Sequence, residues 1–203
     1  MKKEEIEKLN SEILKCTRCP LYQYKKNYVP GDGDPNSEIL FIGEAPGREE
    51  DLQGKPFVGK AGQVLNENIK NILNLDRNKV YITNVVKCRP PNNREPKDEE
   101  IKACSIWLEK QLEIIKPSII VTLGYYSTKW IFEYFGLKFD SIMKNRGKIY
   151  KVNRWGKEIK IIPTIHPAST LYHREWRTFF DDDFKLIKGI IDNKEKSGIL
   201  KYI

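Results

Sequence analysis

Short apolar segments alternate with amphipathic segments along most of the chain, and this alternation limits the folds that it can adopt. Strand-like segments rich in β-branched and other apolar residues occupy 38–42, 80–86, 118–123 and 158–165. Apolar residues at helical spacing occupy 4–14, 61–73, 98–115, 125–135 and 175–192. Strands that alternate with helices favour an α/β fold, in which helices cover both faces of a mainly parallel sheet.

A predicted β-hairpin interrupts this alternation. Two segments of alternating polar and apolar residues, 147–152 and 158–165, flank a turn at 153–156. The 203 residues contain no internal repeat and no low-complexity linker. We therefore expect a single domain over 1–203.

The composition excludes two classes of protein. Hydrophobic residues make up 39% of the chain and charged residues 32%, which excludes a disordered chain. No apolar run approaches the roughly 20 residues that a membrane-spanning helix needs. The segment 1–10 contains acidic residues and no apolar signal region. We therefore expect a cytoplasmic protein with no membrane partner.

The charge balance favours a polyanionic partner. Lysine and arginine number 36 against 28 acidic residues, and the net charge is +8. The segment 138–160 alone contains eight basic and two acidic residues. Nucleic acid is the obvious polyanion. The Lys- and Glu-rich surface of a thermophile protein gives a similar composition, so charge alone leaves both interpretations open.

The four cysteines, Cys16, Cys19, Cys88 and Cys104, have a spacing typical of metal ligands. The first two form a C-x2-C pair in a polar turn, where both sulfurs face one point and a disulfide would be strained. Cys104 lies on the apolar face of a predicted helix, where a reduced core cysteine is the alternative. Zinc and a [4Fe–4S] cluster both accept four thiolates, and spacing does not separate them. Either would join the amino-terminal helix and the C-x2-C turn to 85–105.

Three unusual segments, 43–62, 84–96 and 166–173, follow predicted strands. Ligands of open α/β sheets bind beyond the carboxyl ends of the strands. The first segment is rich in glycine, but it has neither the G-K-[ST] of a phosphate loop nor the G-x-G-x-x-G of a dinucleotide site. It is therefore a constrained loop of another type.

The motifs in these segments resemble those of one family. GEAPG, EED, G.PFVG.AG, ITNVVKCRPPNNR and HPA, with the four cysteines in this order, are similar to the iron–sulfur (family 4) uracil-DNA glycosylases over 16–171. The resemblance implies a three-layer α/β/α sandwich with a central, mainly parallel sheet. It implies a structural [4Fe–4S] cluster, with zinc as the alternative. It also implies a DNA repair enzyme that flips uracil out of DNA and hydrolyses its N-glycosidic bond.

The resemblance assigns roles at a base pocket. Asn84 accepts from uracil N3–H and donates to O4, whereas cytosine reverses this pattern. Phe57 stacks on the base. His166 donates as a neutral imidazole to O2, and backbone N–H groups near Glu44 and Ala45 point to the same oxygen. For Asn84, Phe57 and His166, an ordinary strand-end or core position is the alternative.

Two positions depart from better-known relatives. In those relatives an Asp handles the attacking water where this chain has Ala45. The neighbouring carboxylate is Glu44, and three alternatives are open: it positions water, it stabilises the cationic sugar, or stabilisation of the departing base dominates the reaction. A Tyr faces uracil C5 where this chain has Gly47, and Glu50 is the candidate that crowds the methyl group of thymine.

Several residues are predicted to contact DNA. Leu171 fills the vacated stack, with a core leucine as the alternative. Lys87, Arg89 and Arg94 are expected to grip phosphates. The basic hairpin residues, for which a solvated surface is the alternative, form a second candidate: Lys144, Arg146, Lys148, Lys151 and Arg154.

The expected partner is uracil-containing DNA, single- or double-stranded, bound by a monomer. A sliding clamp is a further candidate partner, and the Lys-rich tail 193–203 either docks a partner or frays. Two rival functions stay open: a module that binds uracil or bent DNA without turnover, and a zinc-containing enzyme that acts on a free nucleoside or nucleotide.

Overall fold

A single mixed sheet organises the chain, for which the computed structural model describes residues 1–196. The six strands are β1 (Asp32–Gly33), β2 (Ile39–Gly43), β3 (Tyr81–Asn84), β4 (Ile119–Leu123), β5 (Tyr150–Arg154) and β6 (Lys157–Thr164). Their order in the sheet is β1-β3-β2-β4-β6-β5. The four inner strands are parallel, whereas β1 and β5 pair antiparallel at the two edges. The predicted central, mainly parallel sheet is confirmed.

Helices connect the strands. They are α1 (Lys2–Ile13), α2 (Arg48–Gln53), α3 (Lys60–Asn71), α4 (Asp98–Ile115), α5 (Tyr125–Tyr134), α6 (Ile142–Asn145), α7 (Ser169–Tyr172) and α8 (Trp176–Lys196). Short 3-10 turns lie at Pro20–Gln23, Arg77–Lys79 and Pro91–Asn93. Across residues 1–196, none of the helices combines the length and the apolarity needed to cross a bilayer.

The two faces of the sheet are covered by separate hydrophobic cores. Alternate residues of β2 point to opposite faces: Leu40 and Ile42 pack with α1, α4 and α5, whereas Ile39 and Phe41 pack with α3 and α8. The ring of Phe41 stacks on Phe184 with a centroid distance of 5.8 Å. Burial on both faces explains why the inner strands are apolar throughout. The layers are therefore helix, sheet and helix, as expected.

The carboxyl ends of the inner strands bring distant parts of the chain together. Gly43 at the end of β2 pairs in register with Asn84 at the end of β3. On the other side of β2, β4 ends at Leu123 and pairs with β6, which ends at Thr164, two residues before His166. The three segments singled out in the sequence thus start from the same edge of the sheet.

The structure differs from the predicted elements in its details. The helix α2 forms inside the glycine-rich segment, and the strand predicted over 80–86 ends at Asn84. The hairpin turn is tighter than 153–156, because Trp155 and Gly156 both adopt positive φ, 53° and 71°, as in the two-residue turns that join twisted strands. Of the tail 193–203, only 193–196 are described, as the end of α8; the rest lies outside the described residues.

Candidate active site at the carboxyl edge of the sheet

Phe57 has a strained backbone that fixes the position of its ring. Its φ is 51°, in the left-handed region that non-glycine residues rarely adopt. Arg77 binds this backbone: its guanidinium donates to the carbonyl oxygen of Phe57 at 2.7 Å and also to that of Pro56. A side chain at Gly62 would lie 2.0 Å from the Phe57 carbonyl oxygen. Glycine at position 62 is therefore required for this turn.

The ring of Phe57 lies beside the two polar residues predicted to recognise the base. It stacks on the His166 imidazole with a centroid distance of 5.6 Å and an interplanar angle of 29°. A Cβ atom at Gly43 would lie 2.4 Å from Phe57 Cζ and 2.5 Å from Asn84 Oδ1. The ring and the amide therefore meet over the bare backbone of Gly43. The structure brings together Phe57, Asn84 and His166, which are far apart in the sequence.

Asn84 carries an unused hydrogen-bond acceptor. The residue is 2% exposed, and its Oδ1 has no hydrogen-bond partner among residues 1–196. Burial of an unpaired polar atom costs about 1–3 kcal/mol, so an unpaired acceptor of this kind calls for a functional explanation. A ligand that donates an N–H group at this position would recover that cost.

His166 is a neutral imidazole with one free donor. Its Nδ1 accepts from the backbone N–H of Ala168 at 3.1 Å, so the ring proton lies on Nε2. Burial lowers the pKa of His166 to about 4. At neutral pH the side chain is therefore an uncharged Nε2–H donor, and its donation to uracil O2 stays a prediction.

Glu44 follows β2 directly and has a strongly perturbed pKa. Burial and, as the smaller cause, the negative charge of Glu95 together raise the pKa of Glu44 to about 7. Glu95 accepts from the hydroxyl of Tyr126 at 2.8 Å. The sequence analysis missed Glu95 and Tyr126; Glu95 lies just after the NNR motif, but Tyr126 carries no motif signal. A carboxyl group that titrates near neutral pH in a cleft is a candidate catalytic group.

Glu50 organises the loop that contains Phe57. One of its carboxylate oxygens accepts from the backbone N–H of Gly47 at 3.1 Å, and the other accepts from Val58 at 3.1 Å and Gly59 at 2.8 Å. Both oxygens are thus used within the protein. The predicted contact with a thymine methyl group stays a prediction, and removal of this side chain would also remove support from the loop. Ala45 is half-buried beside this loop.

The four cysteines line one cavity between α1, the C-x2-C turn and α4, together with Tyr28 and Trp107. Cys88 and Cys104 are buried, Cys16 and Cys19 are half-buried, and all four are free thiols. Burial raises the pKa of Cys88 and of Cys19, and it raises the pKa of Cys104 to about 11. The fold therefore brings the four cysteines, which are far apart in the sequence, to the wall of one cavity; their role as metal ligands stays a prediction.

The cavity is equipped with donors to sulfur. The Trp107 indole N–H donates to Cys16 Sγ at 3.2 Å, and the Lys87 backbone N–H donates to Cys104 Sγ at 3.4 Å. Hydrogen bonds of this kind support thiolate ligands of metal centres. Within residues 1–196, no group of three or more His, Cys, Asp or Glu side chains is close enough together to hold a metal ion as it stands. Four thiols, two of which accept hydrogen bonds, nevertheless have the chemistry that a thiolate-bound metal group requires.

The residues predicted to contact DNA fall into two groups. Leu171 is exposed on α7, beside the base pocket loop that begins at His166, and Arg89 is half-buried and bonded to Asn93. The predicted phosphate contact of Lys87 is wrong, because this side chain is 1% exposed. Arg94 is held by two bonds to the buried carboxylate of Glu100, at 2.6 and 3.1 Å, so its guanidinium is committed to the fold.

The basic hairpin is partly neutralised within the protein. Arg146 forms an ion pair with the buried Asp183 at 2.6 Å, and Arg154 pairs with Glu113 at 2.9 Å. Lys151 lies 3.8 Å from Glu158. The formal charge of 138–160 therefore overstates the field available to a polyanion, and Arg146 is a structural residue.

Comparison with known proteins agrees with this geometry. The model of the Uracil DNA glycosylase superfamily matches residues 30–188. Three curated relatives are named type-4 uracil-DNA glycosylase. The Sulfurisphaera tokodaii protein is 52% identical over 92% of this chain and 85% of the relative, and the Archaeoglobus fulgidus protein is 47% identical over 98% and 100%. The Saccharolobus solfataricus protein is 48% identical over 94% and 88%.

The matched region contains the strand ends, the pocket residues and the motif cysteines Cys88 and Cys104, and the longer alignments reach the C-x2-C turn. Fold, site and sequence similarity thus lead to one conclusion: the chain belongs to the type-4 branch of the uracil-DNA glycosylase superfamily.

Proposed function

We propose that this protein removes uracil from DNA by hydrolysis of the N-glycosidic bond, which releases the free base and leaves an abasic site. The observation that carries the proposal is the buried, unpaired Oδ1 of Asn84 beside the Phe57 ring and the neutral His166. A base inside a duplex cannot reach such a pocket, so the nucleotide must be flipped out of the stack.

Recognition of the base rests on Asn84. Uracil presents an N3–H donor and an O4 acceptor, which match the amide oxygen and amide nitrogen of Asn84. Cytosine presents an acceptor at N3 and a donor at N4, so both contacts become unfavourable. The Phe57 ring supplies a flat surface, and stacking of a base on an aromatic side chain contributes about 1–3 kcal/mol.

Departure of the base requires stabilisation of its negative charge. As the N-glycosidic bond breaks, charge accumulates on uracil O2. We expect the Nε2–H group of His166 and backbone N–H groups near Glu44 and Ala45 to donate to this oxygen. Neutral donors that are fixed before the reaction stabilise such an anion effectively.

The sugar develops positive charge as the base departs, and water must attack it. Glu44 is the carboxylate that follows the motif glycine Gly43. Its ionised form would stabilise the sugar cation and orient the water. Lys87 lies in the same motif as Asn84, and its Nζ donates to the backbone oxygen of Asn84. It is therefore not free to attack the sugar, and we expect a hydrolase that leaves the DNA backbone intact.

The DNA contacts follow from exposure. Leu171 is 45% exposed on α7, in the segment that follows His166, and an apolar side chain there would fill the space that the flipped base vacates. Arg89, the partly exposed Arg94 and the exposed hairpin residues Lys144, Lys148 and Lys151 are the candidates for phosphate contacts. A monomeric state, a sliding-clamp partner and a cytoplasmic location stay predictions.

We propose that Cys16, Cys19, Cys88 and Cys104 hold a [4Fe–4S] cluster, with zinc as the alternative. The cluster would supply a covalent cross-link between the amino-terminal turn and α4, and no catalytic step passes through it. Purified protein should contain about four iron atoms per chain and absorb blue light. A single zinc ion and no iron would favour the alternative.

A base-release assay tests the activity. Oligonucleotides that contain uracil opposite G, uracil opposite A, or uracil in a single strand are incubated with the protein, and free base is measured. We expect release of uracil and none of thymine or cytosine. Binding without release would support a non-catalytic module instead, and activity on free deoxyuridine alone would support a nucleoside hydrolase.

A further inference from the structure

Lys87 is a buried lysine for which the reaction described above has no use. Its side chain is 1% exposed. Nζ donates to Thr83 Oγ1 at 2.6 Å, to the backbone oxygen of Asn84 at 2.6 Å and to Gln111 Oε1 at 2.7 Å. An ammonium group has three donors, so every donor is used, and the partners belong to β3 and α4.

The acceptors of Lys87 are themselves fixed. Gln111 Nε2 and Thr83 Oγ1 both donate to the backbone oxygen of Pro30, at 2.7 and 2.8 Å. A polar network that is satisfied at every member is rigid, since any displacement leaves a buried group unpaired. The contrast with Asn84 is sharp, because its side-chain Oδ1 has no partner within the described part of the chain.

We propose that Lys87 is a positioning residue for Asn84: by holding the Asn84 backbone oxygen, it fixes the direction in which the amide points at the base. This inference rests on the proposed function. Lys87 also precedes Cys88, and its backbone N–H donates to Cys104 Sγ at 3.4 Å. The segment that orients the amide is therefore attached to the cysteine cavity.

Substitution Lys87→Met tests this role, since Met keeps the length of the side chain without donors. We expect the single-turnover rate of uracil release to fall by about 10- to 100-fold, the loss typical of a small misplacement in an active site. The dissociation constant for uracil-containing DNA should change by less than about twofold, because the DNA surface is untouched.

A double-mutant cycle separates positioning from a general structural effect. In an Asn84→Ala background the amide is absent, so Lys87→Met should change the release rate by less than about twofold. The buried substitution Thr122→Val in β4 removes a hydrogen bond to Thr128 of α5 and serves as the control. It should leave the release rate unchanged in both backgrounds.

Gln111→Met provides a second variant if Lys87→Met does not fold. It removes one of the three acceptors of Lys87 and should give a smaller loss, again only when Asn84 is present. Equal losses in both backgrounds, for either variant, overturn the positioning role. If Asn84→Ala alone releases uracil at the wild-type rate, the proposed recognition by Asn84 fails, and the role of Lys87 fails with it.

Discussion

The base pocket and the cysteine cavity lie on either side of the segment 84–88, and they differ in whether their polar atoms already have hydrogen-bond partners. In the pocket, Asn84 Oδ1 lacks a partner within residues 1–196, and burial raises the pKa of Glu44 to about 7. In the cavity, sulfur atoms accept hydrogen bonds from Trp107 and Lys87. A hydrogen-bond acceptor without a partner in the pocket suits a substrate that binds and leaves. Hydrogen-bond donors that already point at sulfur in the cavity suit a permanently bound group. We therefore expect substitutions in the pocket to change mainly the rate of uracil release, and substitutions in the cavity to change mainly the stability of the fold.

The largest effect on base release is expected for Asn84→Asp. A carboxylate accepts at both oxygens, so uracil O4 would face a negative charge instead of an N–H donor. We expect uracil release to fall by about 10³-fold, as when a site leaves polar groups unmatched, and cytosine release to become measurable.

The control is Asn153→Asp, at an exposed position of β5, which should behave as the wild type. A fast Asn84→Asp enzyme that still rejects cytosine would move base recognition to other residues.

His166→Ala should give the next largest loss. Removal of one donor to a developing oxyanion typically slows a reaction by about 10²- to 10³-fold. His173→Ala is a matched control, because His173 is exposed, stacks on Trp176 at 4.5 Å and matches no family motif. Single-turnover release measures both variants. Equal rates for the two would remove His166 from the oxyanion site.

The pH dependence should expose Glu44. Its pKa of about 7 is raised above the ordinary value by burial, so the carboxylate forms only as the pH rises through 7. If the charged form serves the reaction, the rate should increase across that range, and Glu44→Gln should remove the increase and lower the rate at pH 8 by about tenfold, the effect of one partly screened charge.

Glu95→Gln refines this test. The charge of Glu95 contributes to the raised pKa of Glu44, so its removal should move the midpoint of the pH profile downward. A profile that is identical in the wild type, Glu44→Gln and Glu95→Gln would show that Glu44 does not titrate during catalysis.

Cys19→Ser should have the smallest effect on rate and the largest on stability. Loss of one ligand should reduce the iron content and lower the melting temperature by about 10 °C or more. The folded fraction at 25 °C should release uracil within about threefold of the wild-type rate, because the cavity holds no reacting group. Thr17→Ser, in the same turn, is the control. An inactive but fully stable Cys19→Ser protein would break the distinction between the two regions.

The sequence predicted the sheet and its layers because β2, β4 and β6 are apolar strands separated by amphipathic helices. It also placed Asn84 and His166, which follow strands within specific motifs. It failed for Lys87, since a lysine in a motif gives no sign of whether it points to solvent or to Gln111. The ion pair of Arg94 with Glu100 was not predicted either, and the phosphate contact of Arg94 stays a prediction. Those outcomes depend on tertiary contacts between β3, the following loop and α4.

The contact of the Arg77 guanidinium with the backbone of Phe57, which we call the Phe57 clamp, could not be predicted from the sequence either. Arg77 lies 20 residues after Phe57, in a short turn with no motif, and a left-handed phenylalanine contradicts local propensity. Such conflicts between local preference and final structure concentrate at functional sites. Glu50 illustrates the reverse case: its acidic motif is recognisable, but its three backbone partners are not.

The Phe57 clamp affects how much ordering of the protein the binding of a substrate requires. Arg77 also lies 3.7 Å from Asp32 on the edge strand and donates to Asn66 of α3 at 2.9 Å, so the aromatic platform is anchored to two separate elements before any nucleotide arrives. An arriving base then loses little affinity to the ordering of its own receptor. The pocket therefore selects among bases as a rigid binding site. We expect heating to weaken this selectivity only once it disrupts the contacts of Arg77 with the edge strand and α3.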